Sequence, residues 1–310
     1  MTADTLEADT RRVLPRLASR TAARWLRPWA LLAPSLVGLV LFTYWPVLSV
    51  AIDSLFARRL GERGSVFVGL ANYARLFADP KFAAALVNNL VFIVATVVPS
   101  LALALSFALL LRGSSAFNRT LRALLFFPTV VPLIAAAALW TFLFLPTIGL
   151  IDYYLGRFLP VSVNWLGDES TALAAISFVT VWKNAGYYML FYLAALQAMP
   201  HEVTEAAILD GAGPWQRLRH VTLPLLAPTT SFVAVIGFIQ AITTVDHVIV
   251  MTRGGPSDST TLLLYYVYTT ATETHDIGKA AAATVLTLAL LLLISGAGIR
   301  AFEQRGGDAD

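Results

Sequence analysis

Hydrophobic positions in this chain run in long blocks separated by short polar connections. A membrane-crossing helix needs about 20 mostly apolar residues. Six stretches meet that length, at 29–51, 86–111, 121–145, 172–196, 226–250 and 279–299. The first opens on Trp29 and closes on Tyr44-Trp45-Pro46, and aromatic residues of this kind suit membrane interfaces. The pattern predicts an all-α, polytopic membrane protein with six transmembrane helices. Residues 1–28 form a basic tail, 29–299 one membrane domain, and 300–310 a second tail.

Composition strengthens this picture. The 310 residues are 57% hydrophobic and 13% charged, roughly half the charged share of a soluble domain, about 25%. A water-facing surface of ordinary chemistry cannot be built from so few charges. The chain has no cysteine, which excludes disulfides, thiolate metal sites and cysteine nucleophiles. His201, His220, His247 and His275 show no metal-ligand spacing. The net charge of +3 is small, and the basic residues sit at membrane edges, so nucleic acid is not expected as a partner. A cleaved signal peptide fits the first stretch poorly, because its leader is long and no small-residue cleavage site follows.

Lys and Arg set the expected orientation. One set of connections carries thirteen basic residues, among them Arg11, Arg12, Arg16, Arg20, Arg24 and Arg27 of the leading tail. The other set carries eight. Both termini are therefore expected in the cytoplasm, which requires an even number of spans. Residues 1–24 are polar and basic enough to be disordered or to lie on anionic lipid. On the outer side, the connection after the first span holds Asn72-Tyr73 in a short amphipathic segment expected to lie on the surface. Asn88 and Asn89 are expected to cap the second span. Asp246 and His247 are expected as solvated interface residues, and Pro128 and Pro132 as kinks in the third span.

The connection between the fourth and fifth spans differs from the other inner loops. Pro200 suits a helix start, Glu202 and Glu205 suit its first turns, and Gly211 suits the position just past its end. A short helix over 200–210 follows. Ala206 and Ala207 leave a patch without bulk on it, alongside Val203 and Asp210. A second helical piece is expected around Trp215–Val221, stopped by Leu223-Pro224.

The same residues carry a resemblance. Glu205-Ala206-Ala207, Gly211 after three residues, then Val221, Leu223 and Pro224 match the EAA motif of ABC-importer permeases, EAA-x3-G-x9-I-x-LP, with Val in place of Ile. Asn72-Tyr73, Trp182-Lys183 and Gly254-Gly255-Pro256 also resemble the sugar and glycerol-3-phosphate permeases of that superfamily. The likeness covers most of the chain beyond about residue 28. It implies that segment 200–224 is a cytoplasmic coupling helix and its continuation, docking on a separate ATPase through Glu205, Ala206, Ala207, Asp210, Gly211, Val221, Leu223 and Pro224. It implies a second homologous permease in a heterodimer, two ATPase subunits and an extracytoplasmic solute-binding protein, in a bacterial cytoplasmic membrane. The chain lacks the G-x4-G-K-[ST] phosphate loop, so ATP and Mg belong to the partner subunits and this chain binds no cofactor of its own.

Polar groups inside the spans are the remaining signal. Lys183 lies deep in the fourth span, with Tyr187 a turn away and Asn184 and Tyr188 on an adjacent face; Gln240 lies in the fifth. Intramembrane ionisable groups face cavities or partner groups. Lys183 therefore either lines a substrate path or is satisfied by a carbonyl or carboxylate at a helix interface. The expected function is permeation of a sugar, or of glycerol-3-phosphate or a phosphodiester, by an ATP-driven importer. An ion-coupled secondary transporter would need intramembrane acids, which the deep parts of the spans almost lack. A membrane enzyme would need clustered acids or histidines, and these are scattered.

Overall fold

A computed structural model describes residues 28–29, 31–58, 64–155, 157–158 and 162–307. The basic leading tail through Arg27, Arg59, Arg63 and the last three residues lie outside this description.

The chain divides into two units at Asp53. The first contains α1, Leu31–Asp53, which is long and apolar enough to cross a membrane. Its Leu31, Phe42 and Trp45 are exposed, as a lipid-facing helix requires. A π turn over Val40–Tyr44 interrupts it, and the Trp45 N–H reaches back to the Val40 carbonyl. Pro46 follows directly. A proline ring clashes with the carbonyl four residues earlier and donates no hydrogen bond. The wider turn accommodates both defects.

The second unit begins with a small antiparallel pairing of β1 (Phe56–Ala57) with β2 (Val66–Phe67). Then come α2 (Ala71–Phe77), α3 (Pro80–Leu110), α4 (Ala116–Val130), α5 (Leu133–Leu143) and α6 (Leu150–Leu155). α7 (Ala172–Ala198) and α8 (His201–Leu209) follow. α9 runs over Pro214–Thr243. α10 (Asp246–Met251), α11 (Leu263–Thr272) and α12 (Ile277–Gly307) complete the chain.

Among the described residues four helices are long and apolar enough to span a bilayer, α1, α3, α9 and the Ile277–Gly296 part of α12. The pair α4–α5 makes a fifth if its 98° bend is a break within one span. That bend falls at Val131-Pro132, between the two helices, in agreement with the expected proline kink. The fourth expected span is α7, 27 residues long. It is missing from the set because polar residues such as Lys183 and Asn184 interrupt its apolar run, not because it is short.

α7 has α3 packed along its length and meets α4, α9 and α5 as well. Its Ile176, Val179, Tyr188, Met189 and Tyr192 are almost fully buried. Polar residues are tolerated where neighbouring helices, not lipid, surround them. Gly186 lets α4 come close: a Cβ there would stand 1.9 Å from the Leu125 carbonyl oxygen. The buried core runs from Phe92, Ile93 and Val97 of α3 through Ile176 and Val179 of α7 to Ile242 of α9. Ala104, Tyr188, Leu226 and Val233 continue it toward the far end of α3.

Three expectations are corrected. Asn88 and Asn89 cap nothing, because α3 starts eight residues before Asn88 at Pro80, with Asp79 as its cap. Asp79 accepts from the Lys81 N–H at 2.9 Å. The two asparagines instead reach across to the segment before α11. Asn88 donates to the Asp258 carbonyl at 2.8 Å, and Asn89 accepts from the Leu263 N–H at 3.2 Å. His247 is not solvated: it is fully buried and stacks on Phe92 with ring centroids 5.3 Å apart. The fifth span ends at Thr243, because extended backbone at Thr244 breaks the helix there, and α10 folds His247 inward. Asn72, likewise, is buried in α2 and donates to the Ser54 carbonyl at 2.7 Å, so this segment is anchored and not merely laid on a surface.

Candidate functional site

Two regions gather the residues singled out in the sequence. One is the segment 200–224; the other is the polar set inside α7 and α9.

In the first, α8 covers His201–Leu209, with Pro200 at its N-cap and Asp210 at its C-cap. None of its residues is buried. Leu209 is 88% exposed and Ile208 52%, so a short helix shows large apolar side chains to whatever lies beyond the chain. Glu205, Ala206 and Asp210 are exposed, and Ala207 is partly so. Gly211 has φ +76°, with open space where a Cβ would go. Glycine is required there by the left-handed backbone, not by crowding. The Ala212 N–H returns to the Ala207 carbonyl at 2.9 Å and closes the helix end.

The second helical piece differs from expectation. It does not stop at Leu223-Pro224 but runs on as the start of α9. A π turn over Leu218–Thr222 lies just before Pro224, and the Leu223 N–H reaches the Leu218 carbonyl. This is the device that precedes Pro46 in α1. It lets a proline sit in a continuous helix, so residues 214–222 run directly into the spanning helix, while the turn at 210–213 separates them from α8. Val221 is partly buried, and Leu223 and Pro224 are exposed. At the opposite end of this piece, Gln216 Oε1 accepts from the Gly213 N–H at 2.8 Å.

In the second region, Lys183 Nζ donates to the Pro128 and Thr129 carbonyls, each at 3.2 Å, and to the Val131 carbonyl. These carbonyls end α4, where the bend removes their helical partners. Thr129 Oγ1 donates back to the Lys183 carbonyl at 2.9 Å. A cation at a helix C-terminus also meets the favourable end of its dipole. Of the two readings open for Lys183, the structure displays the carbonyl-satisfied one.

Tyr188 and Gln240 are brought together: the phenol donates to Gln240 Oε1 at 2.9 Å. Asn184 and Tyr188 line a cavity of about 10 Å³ with Thr96, Ser100 and Gly237. That is room for about one water molecule. Tyr187 lies edge-on to Phe191, with centroids 5.2 Å apart.

Sequence reasoning missed a third feature. An open cavity of about 680 Å³ lies behind α8, with Arg112, His201 and Arg217 among its lining residues. The available signal was that Arg112 and Arg217 stand far apart in the sequence, each at the end of a long apolar helix.

The structure therefore defines a polytopic helical membrane protein in which the exposed helix α8 and the start of α9 carry the EAA pattern. Residues 76–306 match the family described as binding-protein-dependent transport system inner membrane component, and the chain belongs to that family. It is the membrane permease subunit of an ABC importer and carries no ATPase site of its own. It is 34% identical over 284 residues to the sn-glycerol-3-phosphate transport system permease protein UgpA of Salmonella choleraesuis (strain SC-B67), covering 91% of this chain and 96% of that one. It is 35% identical over 274 residues to UgpA of Escherichia coli O6:K15:H31 (strain 536 / UPEC), covering 88% and 92%. The fold is similar, at TM-score 0.80 and 20% identity, to a chain in the crystal structure of a bacterial ABC transporter involved in the import of the acidic polysaccharide alginate, covering 93% of this chain and 99% of that one.

Proposed function

We propose that this permease admits a sugar delivered by an extracytoplasmic binding protein, and that α8 is the coupling helix through which a separate ATPase drives the step. The observation that carries the coupling role is α8 itself: a wholly unburied helix with exposed Ile208 and Leu209, joined to α9 by only the short turn 210–213. Glu205 offers a carboxylate to a basic group of the ATPase, Ala206 and Ala207 allow close approach, and Asp210 and Gly211 end the rigid block. Beyond the turn at 210–213, the continuous helix through Val221, Leu223 and Pro224 passes displacement of α8 into the membrane. ATP and Mg act on the partner subunits.

In this reading six spans cross the membrane: α1, α3, the broken pair α4–α5, α7, α9 and α12. An even count puts both termini on one side, with α8, and the Lys and Arg bias makes that side the cytoplasm. α7 qualifies as a span because its polar residues face protein. A second, similar permease completes the translocation path. Asn184, Tyr187, Tyr188 and Gln240 line that path when α3, α7 and α9 separate, and the single-water cavity between them corresponds to a shut state. Alternating access then follows from ATP binding the two states unequally. Lys183 holds the broken span in shape.

A second solute reading is glycerol-3-phosphate, favoured by the relatives of 34–35% identity. Proteoliposomes holding the chain with its second permease, ATPase and binding protein separate the two. ATP-dependent uptake of a labelled sugar that glycerol-3-phosphate does not compete supports the first. Uptake driven by an ion gradient without ATP would overturn the importer mechanism.

A further inference from the structure

The cavity behind α8 is unlike the rest of the molecule. It lies among the last turns of α3 and α7, the start of α8 and the start of α9. Leu109 and Leu196 supply apolar walls from the ends of two long helices, while Arg112, Arg217, His201 and Thr204 supply polar groups. No acidic side chain lines it.

Its arginines lack ion-pair partners among the described residues. Arg122, in the same connection as Arg112, donates to the Gly113 carbonyl at 2.7 Å and to the Leu111 carbonyl at 2.8 Å, and so closes the end of α3. Arg112 and Arg217 make no ion pair among the described residues. The Arg217 Nε–H is buried with no acceptor. A buried, unpaired guanidinium N–H is costly, and the missing component is an anion that accepts from it. Guanidinium forks match phosphate oxygens.

Size and lining narrow the anion. A volume of about 680 Å³ is that of a site for a molecule and not for a bare ion. Apolar walls at the ends of spanning helices suit the first part of an acyl chain, and basic groups at the mouth suit a headgroup phosphate. We infer that this cavity binds the phosphate of an anionic phospholipid, with Arg112 and Arg217 as the phosphate-binding groups. Such a lipid also contacts α8 through His201 and Thr204, and buttresses from within the helix that faces outward. The inference requires only that α3 and α7 end at a membrane surface. It is independent of the solute and of the ATPase.

The test is native mass spectrometry of the full-length chain in neutral detergent. It is titrated with phosphatidylglycerol, with phosphatidylcholine of the same acyl chains, and with inorganic phosphate. Phosphatidylglycerol is expected to be retained at one site and phosphatidylcholine lost. In the variant carrying both R112Q and R217Q its affinity falls about thirtyfold, roughly fivefold for each basic group. R112K with R217K keeps most of it, and Arg119→Gln, exposed and outside the cavity, leaves it unchanged. An unchanged thermal midpoint in the double glutamine variant separates lost binding from lost folding. If that variant does not fold, phosphatidylglycerol protection of residues 109–112 and 217–222 from hydrogen exchange in the unaltered chain decides. Equal binding of the two lipids, equal loss in Arg119→Gln, or full affinity in the double variant overturns the proposal. Displacement of the lipid by millimolar phosphate assigns the site to a free anion and overturns the lipid source. Release of the lipid on assembly with the ATPase assigns the cavity to a protein contact and overturns it as well.

Discussion

The two ends of α3 lie in contrasting surroundings. At its start, Asp79 accepts from the Tyr266 phenol at 2.7 Å and forms an ion pair with Lys279. Arg75 pairs with Asp276 at 2.9 Å, and Asn88 and Asn89 tie the helix to the segment before α11. At its other end, α8 buries nothing, and Arg112 and Arg217 face a cavity without ion-pair partners among the described residues. Side chains from distant parts of the sequence lock one end to itself. The other end leaves apolar and basic groups open. An end closed by its own side chains acts as a fixed reference; an end with unspent groups is one that partners complete.

The largest expected effect breaks the closed end. Asp79→Ala removes the acceptor of both Tyr266 and Lys279 and leaves the ammonium half-buried. It is expected to cost about 2–3 kcal/mol, seen as a lower thermal midpoint of the solubilised chain. A pH series sharpens this. Burial disfavours the charged form of Asp79, but hydrogen bonds from Lys279, Tyr266 and the Lys81 N–H outweigh it and hold the carboxyl below its ordinary pKa. Its stabilisation is therefore fully present above the unfolded value, about 3.9, and is lost as the pH falls through the lower folded value. The gap in midpoint between the native chain and Asp79→Asn should stay constant down to about pH 4 and shrink only below it. A gap that closes near pH 6 would mean that another group carries the effect.

Smaller effects are expected at the open end. Gly211→Ala forces a side chain into left-handed backbone and is expected to cost about 1 kcal/mol, with space to spare around it. In the assembled importer it also misdirects the end of α8, so solute-stimulated ATPase activity falls further than stability does. Glu205→Ala is expected to change the stability of the isolated chain by less than about 0.5 kcal/mol, because the side chain is exposed. Its effect appears only in the assembly, as weaker ATPase association. A large loss of stability in Glu205→Ala alone would erase the contrast between the ends.

Most of the bundle was legible along the chain because a bilayer imposes one demand, apolar side chains over a fixed length, and that demand is local. Pro132 announced the bend because its ring donates no hydrogen bond and crowds the carbonyl four residues back, whereas Pro128, also expected to kink, lies within α4. The ordered run from Glu205 to Pro224 could be recognised because capping and left-handed turns are also local. What could not be read was which polar residues the fold brings together. Asn88 and Asn89 resemble helix caps until α3 is seen to begin at Pro80, with its true partners some 170 residues away. His247 resembles an interface residue until Thr244 turns the chain and folds it onto Phe92. Lys183 could have faced a solute or a carbonyl. Only the bend between α4 and α5, held against α7 at Gly186, supplied the carbonyls.

The sequence by itself determined that the chain lives in a membrane, which stretches are apolar enough to form its long helices, and which exposed segment carries the importer's signature, because each depends on neighbours within a few turns. The tertiary structure decided which polar groups are satisfied and which are left waiting. A hydrogen bond or an ion pair depends on distance in space, and in this bundle the deciding partners lie far apart along the chain.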